Sequence, residues 1–335
     1  MRVLVTGCAG RVGTAVVDHL VGRGFDVRGI DVEQPVDEQI DFRVCDLMTY
    51  EAIGPHLQEV DVVLHLAAIP APGRGPNDQI FSLNCAGTFN VFTACADAGV
   101  GRMVVASSIN AIGYFFGTEP FEIDYLPVDE GHPKFTTDAY SFSKQVTEDI
   151  GAYFWRRDRI SNTCLRFGAG LQYVDEMREA QGEAFRAARS RVGALASLNE
   201  EDADEQVRVM RATYDKGRRD RTFETDRKFP EMDAIYHRLA TMRQNYFSFV
   251  DLREACRGME LALTAQYEGS HPLFIVDRQN ILCEPADRLV ELFYPEVSVR
   301  GDLAESQSLV DWRKAEQLIG FVSQTSAQSF YTEAL

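Results

Sequence analysis

A chain of 335 residues, 45% hydrophobic and 25% charged, has the composition of an ordinary globular protein, long enough for one large α/β domain or a domain with a smaller lobe. Its net charge of −17 argues against a nucleic-acid or anionic-membrane partner, because both need a basic footprint, and no apolar run approaches the roughly 20 residues of a membrane span. Seven scattered cysteines without C-x-x-C spacing and six unclustered histidines predict reduced thiols and no metal site. The opening Met1–Gly7 reads as a strand entering a glycine turn rather than the core of a secretion signal, so a cytoplasmic protein is expected.

Along the first 170 residues, short aliphatic runs predict strands at 2–6, 26–31, 60–66, 103–107 and 163–167, of the continuous kind that helices cover on both faces. Helical patterns separate them. The first, 12–21, carries Val16, Val17, Leu20 and Val21 on one side and is closed by Gly22 and Gly24. This alternation predicts βα units in a doubly wound parallel sheet, the Rossmann-type α/β class. Beyond 171 the chain becomes rich in Arg, Glu and Ala. A mostly helical stretch is expected over 174–240, punctuated by Gly193, Gly217 and Pro230. A strand-like run follows at 246–250, a helix at 251–264 and a strand at 273–276, with helix–strand–helix packing in the last 60 residues. The expected organisation is therefore a nucleotide-binding domain over 1–170 and a smaller, mostly helical substrate lobe over 171–335, whose segments 246–276 return to the core.

Two constellations carry chemistry. Gly7, Gly10 and Gly13 lie where the first strand becomes a helix: the first for a tight turn, the second for backbone approach to a pyrophosphate, the third for close packing. Arg11 and Val12 open that helix, whose free N–H groups and positive dipole end suit phosphates. Asp31, at the end of the second strand, can accept both adenosine ribose hydroxyls and would repel a 2′-phosphate, favouring NAD over NADP. Asp46 and Leu47 either border the adenine or begin a helix as a cap. Tyr140 and Lys144, spaced i, i+4, share one helix face, where a lysine ammonium favours the phenolate and can also hold the nicotinamide ribose. A serine at the end of the strand 103–107, Ser107 or Ser108, can hydrogen-bond the reacting oxygen.

With TGCAGRVG (6–13), Asp31, CDL (45–47), HLAA (65–68), NCAGTFN (84–90), ASSINAIG (106–113), YSFSK (140–144), LRFG (165–168) and FSFVDL (247–252), the chain resembles an extended short-chain dehydrogenase/reductase. That family includes NAD-dependent sugar epimerases, dehydratases and sugar dehydrogenases. The resemblance implies that Tyr140 is the general acid/base, that Lys144 lowers its pKa, and that Ser108, with Ser107 as the alternate, positions the substrate oxygen. It implies that Leu66, Ala67, Ala68 and Ala106 border the cofactor, that Phe167 sits by the nicotinamide carboxamide, and that Asn84 supports the active-site helix through backbone contacts. His65 and Asn84 also have plain readings, a buried strand histidine and a helix cap. A homodimer through helices at about 79–98 and 138–157 is a further implication.

Departures from the family patterns narrow the reaction. The dehydratases resemble T-D-E where this chain has Ser108-Ile109-Asn110, with no carboxylate. Nucleotide-sugar epimerases carry N-V-x-G-P and R-D-[FY], where this chain has Phe167-Gly168-Ala169-Gly170 and Gln244-Asn245-Tyr246, with Arg243 displaced. The stretches 107–115 and 246–252 are similar to those of uronate and aldose dehydrogenases, which nominates Ile109 and Asn110 for sugar contact. Arg166 is either a substrate-binding cation or half of a structural salt bridge. Arg178, Arg186 and Arg189 either face an anion or form a solvated helix face. Oxidation of a hydroxyl-bearing carbon of a sugar or sugar acid is expected; epimerisation with tightly held NAD is the alternative, and a non-catalytic NAD-binding sensor the remote one.

Overall fold

The computed structural model describes residues 1–34, 40–220 and 232–331. In chain order come β1 (Arg2–Thr6), α1 (Arg11–Gly22), β2 (Asp26–Asp31), β3 (Asp41–Val44), α2 (Tyr50–Ile53), β4 (Val62–His65), α3 (Asn77–Phe81), α4 (Thr88–Ala98) and β5 (Arg102–Ala106). There follow β6 (Tyr125–Leu126), α5 (Ala139–Asp158), β7 (Ser161–Phe167), α6 (Val174–Leu195), α7 (Glu200–Arg219) and α8 (Ala234–Arg243). The chain ends with α9 (Leu252–Thr264), β8 (Ser270–Ile275), α10 (Ala286–Phe293), β9 (Ser298–Val299) and α11 (Arg313–Ile319).

The main sheet runs β3-β2-β1-β4-β5-β7-β8 with every pair parallel, the doubly wound arrangement expected from the sequence. Successive strand residues point to opposite faces, and both faces are covered. Val3, Val5, Val62, Leu64, Val104 and Leu165 pack with α1, α9 and α11. Leu4, Val63, Met103, Val105 and Cys164 pack with α2, α4 and α5. A third apolar cluster gathers Phe185 and Val192 of α6, Met210 and Tyr214 of α7, Leu239 of α8 and Phe293 of α10 with Ile112, Tyr114 and Leu126 from ahead of α5. No described helix is long and apolar enough to cross a membrane.

Local differences from the sequence reading have physical causes. The run 246–250 is not a strand. It is a buried turn in which Tyr246 and Phe247 take positive φ of 56° and 49°, and its aromatic residues fill this third cluster without strand pairing. Gly193 and Gly217 lie inside α6 and α7, since flanking helix formers outweigh one glycine; the break falls at 196–199, where Asn199 caps α7. Pro230 lies outside the described residues. Helix α1 runs through Gly22 and ends at Arg23, with Gly24 left-handed beyond it at φ 82°.

One buried ion cluster fixes β5, α5 and β7 against each other. Arg166 Nε and Nη2 donate to Glu148 Oε1 and Oε2 at 2.8 and 2.9 Å, Lys134 Nζ donates to Oε2 at 2.7 Å, and Ser107 Oγ donates to Oε1 at 2.8 Å. Burial pushes the Glu148 carboxyl up, but the charges and hydrogen bonds of Arg166 and Lys134 outweigh it and hold it below the usual carboxylate range. Arg166 is fully buried, its guanidinium also lying over the Phe274 ring at 5.1 Å, so of its two readings the structure carries the salt bridge and not substrate contact. Glu148→Gln leaves Arg166 buried opposite a neutral amide and should cost about 3–5 kcal/mol in urea unfolding. Because the folded carboxyl titrates below its ordinary value of 4.5, its contribution is present above that pH and lost as pH falls. Wild-type stability should therefore drop below about pH 4.5 and the variant's should drop less steeply; equal slopes would remove Glu148 from this role.

Candidate active site

The C-terminal ends of β1, β2 and β4 open into a groove of about 340 Å³ lined by Gly7, Gly10, Arg11, Val12, Asp31, Asp46, Leu47, Leu66, Ala67 and Ala68 among others. Its floor explains two glycines. Gly7 has φ 73°, and a Cβ there would lie 2.6 Å from Ala67 N; a Cβ at Gly13 would lie 2.0 Å from Gly7 O. At Gly10 a Cβ would meet only Gly7 O, at 3.4 Å, and otherwise project into open space, the approach a pyrophosphate needs. Asp31 accepts Ala9 N at 2.9 Å through Oδ2 and Val32 N at 2.7 Å through Oδ1, so its carboxylate is oriented by the loop it borders. Asp46 is not a helix cap: Thr49 occupies that position, while Asp46 accepts Met48 N at 2.9 Å in the preceding turn and lines the groove. Arg11 also lines the groove and reaches Glu176 of α6 at 3.3 Å. A glycine floor, a helix N-terminus and a fixed carboxylate at one end fit NAD. Gly7, Gly10, Arg11, Val12 and Asp31 would hold it.

Beyond the groove, β5 runs out at Ala106, and Ser107 and Ser108 point to different duties. Ser107 donates to Glu148, while Ser108 Oγ accepts Asn110 N at 3.1 Å and Asn110 Nδ2 at 3.3 Å. Ser107 is thus committed to Glu148, while Ser108 is the serine hydrogen-bonded with Tyr140. Asp138 caps α5, its Oδ1 accepting Ser141 N at 2.8 Å, which starts the helix so that Tyr140 and Lys144 face β5. Lys144 Nζ donates to Ala106 O at 2.8 Å and lies 5.8 Å from the centre of the Tyr140 ring. Burial pushes the Tyr140 phenol up to about 12, with hydrogen bonding to Ser108 pulling it back, and lowers Lys144 to about 8. The lysine-depressed phenol expected from the sequence is thus not what these side chains produce by themselves, because desolvation is the larger effect.

Asn84 sits in a π-helical turn, Ser82–Gly87. It accepts Ile69 N at 2.8 Å and donates to Ser143 Oγ at 2.9 Å, which donates to Tyr140 O at 2.7 Å. It reaches the active-site helix through a side chain as well as backbone. His65 is a buried strand histidine between Thr6 Oγ1 and Thr88 Oγ1 at 2.7 and 2.9 Å; burial lowers it to about 3, so it stays neutral. Ile109 and Asn110 are buried in the turn after Ser108, and Phe167 is buried at the end of β7 in the core. Arg186 is exposed and Arg178 pairs with its helix neighbour Asp175 at 3.4 Å, as on a solvated helix face. Arg189 is instead part-buried, pairing with the buried Glu284 at 3.0 Å and lying over the Tyr331 ring at 4.7 Å, a packing contact that the solvated-face reading does not describe. Arg243 is buried with Phe293 O and Glu122 as acceptors. Sequence reasoning missed Glu148 and Ser143; both lie on the face of α5 that carries Tyr140 and Lys144, at i+8 and i+3 from the tyrosine, so helical spacing held the signal.

Comparison with known proteins bears on the family and the fold. Residues 3–171 match the model of the NAD dependent epimerase/dehydratase family. The chain is 31% identical to an NAD-dependent glucose-6-phosphate dehydrogenase of Haloferax volcanii, over 55% of this chain and 74% of that protein. It is 27% identical to a uronate dehydrogenase of Pseudomonas syringae, over 51% of this chain and 60% of that protein. A solved short-chain dehydrogenase/reductase superfamily protein from Agrobacterium tumefaciens with bound NAD superposes with a TM-score of 0.63 at 22% identity, covering 98% and 94% of the two chains, which speaks for the fold. The chain belongs to the NAD-dependent epimerase/dehydratase family and is an NAD-dependent oxidoreductase of the extended short-chain dehydrogenase/reductase type.

Proposed function

We propose that this protein oxidises a hydroxyl-bearing carbon of a free sugar or sugar acid with NAD. The observation that carries the reading is Ser108 beside Tyr140 at the mouth of β5, followed by Ile109 and Asn110 where a dehydratase needs carboxylates. Arg243, closest in sequence to the arginine an epimerase uses for a diphosphate, is committed to Phe293 O and Glu122, which favours a substrate without a nucleotide. The similarity to sugar and uronate dehydrogenases points the same way.

In this mechanism Ser108 hydrogen-bonds the substrate hydroxyl and orients it. Tyr140 takes the hydroxyl proton as the carbon loses hydride, and Lys144, tethered at Ala106 O, keeps an ammonium beside the phenol and would hold the nicotinamide ribose. NAD supplies the hydride acceptor. The phenol must be ionised to act as a base, and burial holds it on the protonated side, so oxidation should accelerate as pH rises above neutrality until Lys144, lowered to about 8, loses the charge that supports the phenolate.

The purified protein, given NAD and a panel of free sugars, uronates and nucleotide sugars, should form NADH with a free sugar or uronate. An epimerised sugar without released NADH would move it to the epimerases. Tyr140→Phe should bind NAD as before and lose about 10²–10⁴-fold in kcat; undiminished turnover would end this mechanism. The exposed rings of Phe81 and Phe142, stacked at 5.3 Å, and of Phe89 and Tyr153 at 6.0 Å lie on α3, α4 and α5, the helices through which a second copy would dock. Light scattering should find a dimer, and Phe142→Asp should convert it to a monomer; a monomeric wild type would refute the assignment. Seven buried free cysteines favour a reducing compartment, the cytoplasm, and cell fractionation should recover the protein there.

A further inference from the structure

Arg218 stands in the last turn of α7, in the stretch for which the nucleotide-binding fold has no use, yet its side chain is 1% exposed. A guanidinium removed from water must find acceptors for its N–H groups. Nε and Nη2 both donate to the Gly117 carbonyl, at 2.9 and 2.7 Å, and Nη1 donates to Gln244 Oε1 at 2.7 Å. The helix is thereby tied to the segment that leads away from Ser108 and Asn110.

That segment lies on the entry to the catalytic helix. A Cβ at Gly117 would fall 2.5 Å from Thr137 Oγ1 and 2.9 Å from Gly113 O, so a side chain there would push these neighbours apart. Thr118 Oγ1 donates to Thr137 O at 3.1 Å, and Glu119 N donates to Thr137 Oγ1 at 3.1 Å. Phe116, next to Gly117, meets the Tyr140 ring edge-on, with centroids 5.6 Å apart at 86°. Among the described residues, Gly117 and Phe116 lead from the Arg218 fork to the reactive phenol.

We propose that Arg218 is a positioning residue: by pinning Gly117 it holds Phe116 against Tyr140 and so orients the phenol for proton transfer. The inference rests on the reading of Tyr140 as the proton-exchanging group and holds whether the enzyme oxidises or epimerises its sugar.

The test uses Arg218→Lys, Arg218→Met and Phe116→Leu in the full chain. NAD affinity should stay within about twofold of wild type, while kcat per folded molecule falls about 10²-fold in Arg218→Met, the scale of a small misplacement of a reacting group. Arg218→Lys, which keeps the charge but loses the fork, should recover part of the loss. Deuterium at the oxidised carbon should give a larger isotope effect in both. The double variant Arg218→Lys/Phe116→Leu should be no slower than Phe116→Leu, because the two act through one contact. The fluorine resonance of fluorotyrosine at position 140 should move in Arg218→Lys, a readout independent of turnover. An unmoved resonance, additive single effects, or a loss explained by unfolded protein alone would overturn the proposal. A wild type that forms no NADH would refute the proposed oxidation instead, leaving the resonance to decide on Arg218; if the Arg218 variants do not fold, Phe116→Leu must reproduce the resonance change and the kinetic loss.

Discussion

The carboxylate of Glu148 is where the reaction site is anchored. It accepts hydrogen bonds from Ser107 after β5, Arg166 at the end of β7 and Lys134 ahead of α5, and it rides on the same helix face as Lys144. In a low-dielectric interior such a cluster is costly to open in pieces, because each broken pair strands a charge. Two adjacent strand ends and the helix that crosses them therefore move together or not at all. Ser108, the serine proposed to meet the substrate, follows directly on the serine that is tied down.

The nucleotide half of the cleft obeys a different constraint. Among the described residues there, no charge pair of comparable depth holds the groove; close backbone approach fixes it. Gly7 against Ala67 and Gly13 against Gly7 bring β1, α1 and the end of β4 within distances that leave no space for a Cβ. Steric closeness fixes the cofactor's floor, and ionic closeness fixes the catalytic wall. The helices after β7 add the third side, with Arg218 reaching back to Gly117 and Arg11 reaching forward to Glu176.

Much of the sheet was legible because a parallel sheet covered on both faces demands unbroken apolar runs, and each of those runs became a strand. The glycine loop and the Tyr140–Lys144 spacing were legible because turn geometry and helical period are local properties. The segment 246–250 was not. Its aromatic residues are buried as a strand's would be, but two of them occupy left-handed backbone that only the surrounding packing can impose. The fate of Arg166 was likewise undetermined by its own neighbours, since its partner lies 18 residues away on another element. Glu148 was within reach, one helical turn past Lys144, but a lone glutamate on an amphipathic helix gives no sign of being buried.

The hydrogen bond from Ala9 N to Asp31 Oδ2 has a consequence for anyone redesigning cofactor preference. The residue suited to selecting the ribose is also the residue that braces the phosphate turn, so the two properties are mechanically joined. Exchanging Asp31 for a small neutral side chain would remove a repulsive charge and, in the same stroke, orphan a backbone donor in the loop. Swapped preference and preserved affinity then require two changes: a cation for the added phosphate, and a new acceptor for Ala9.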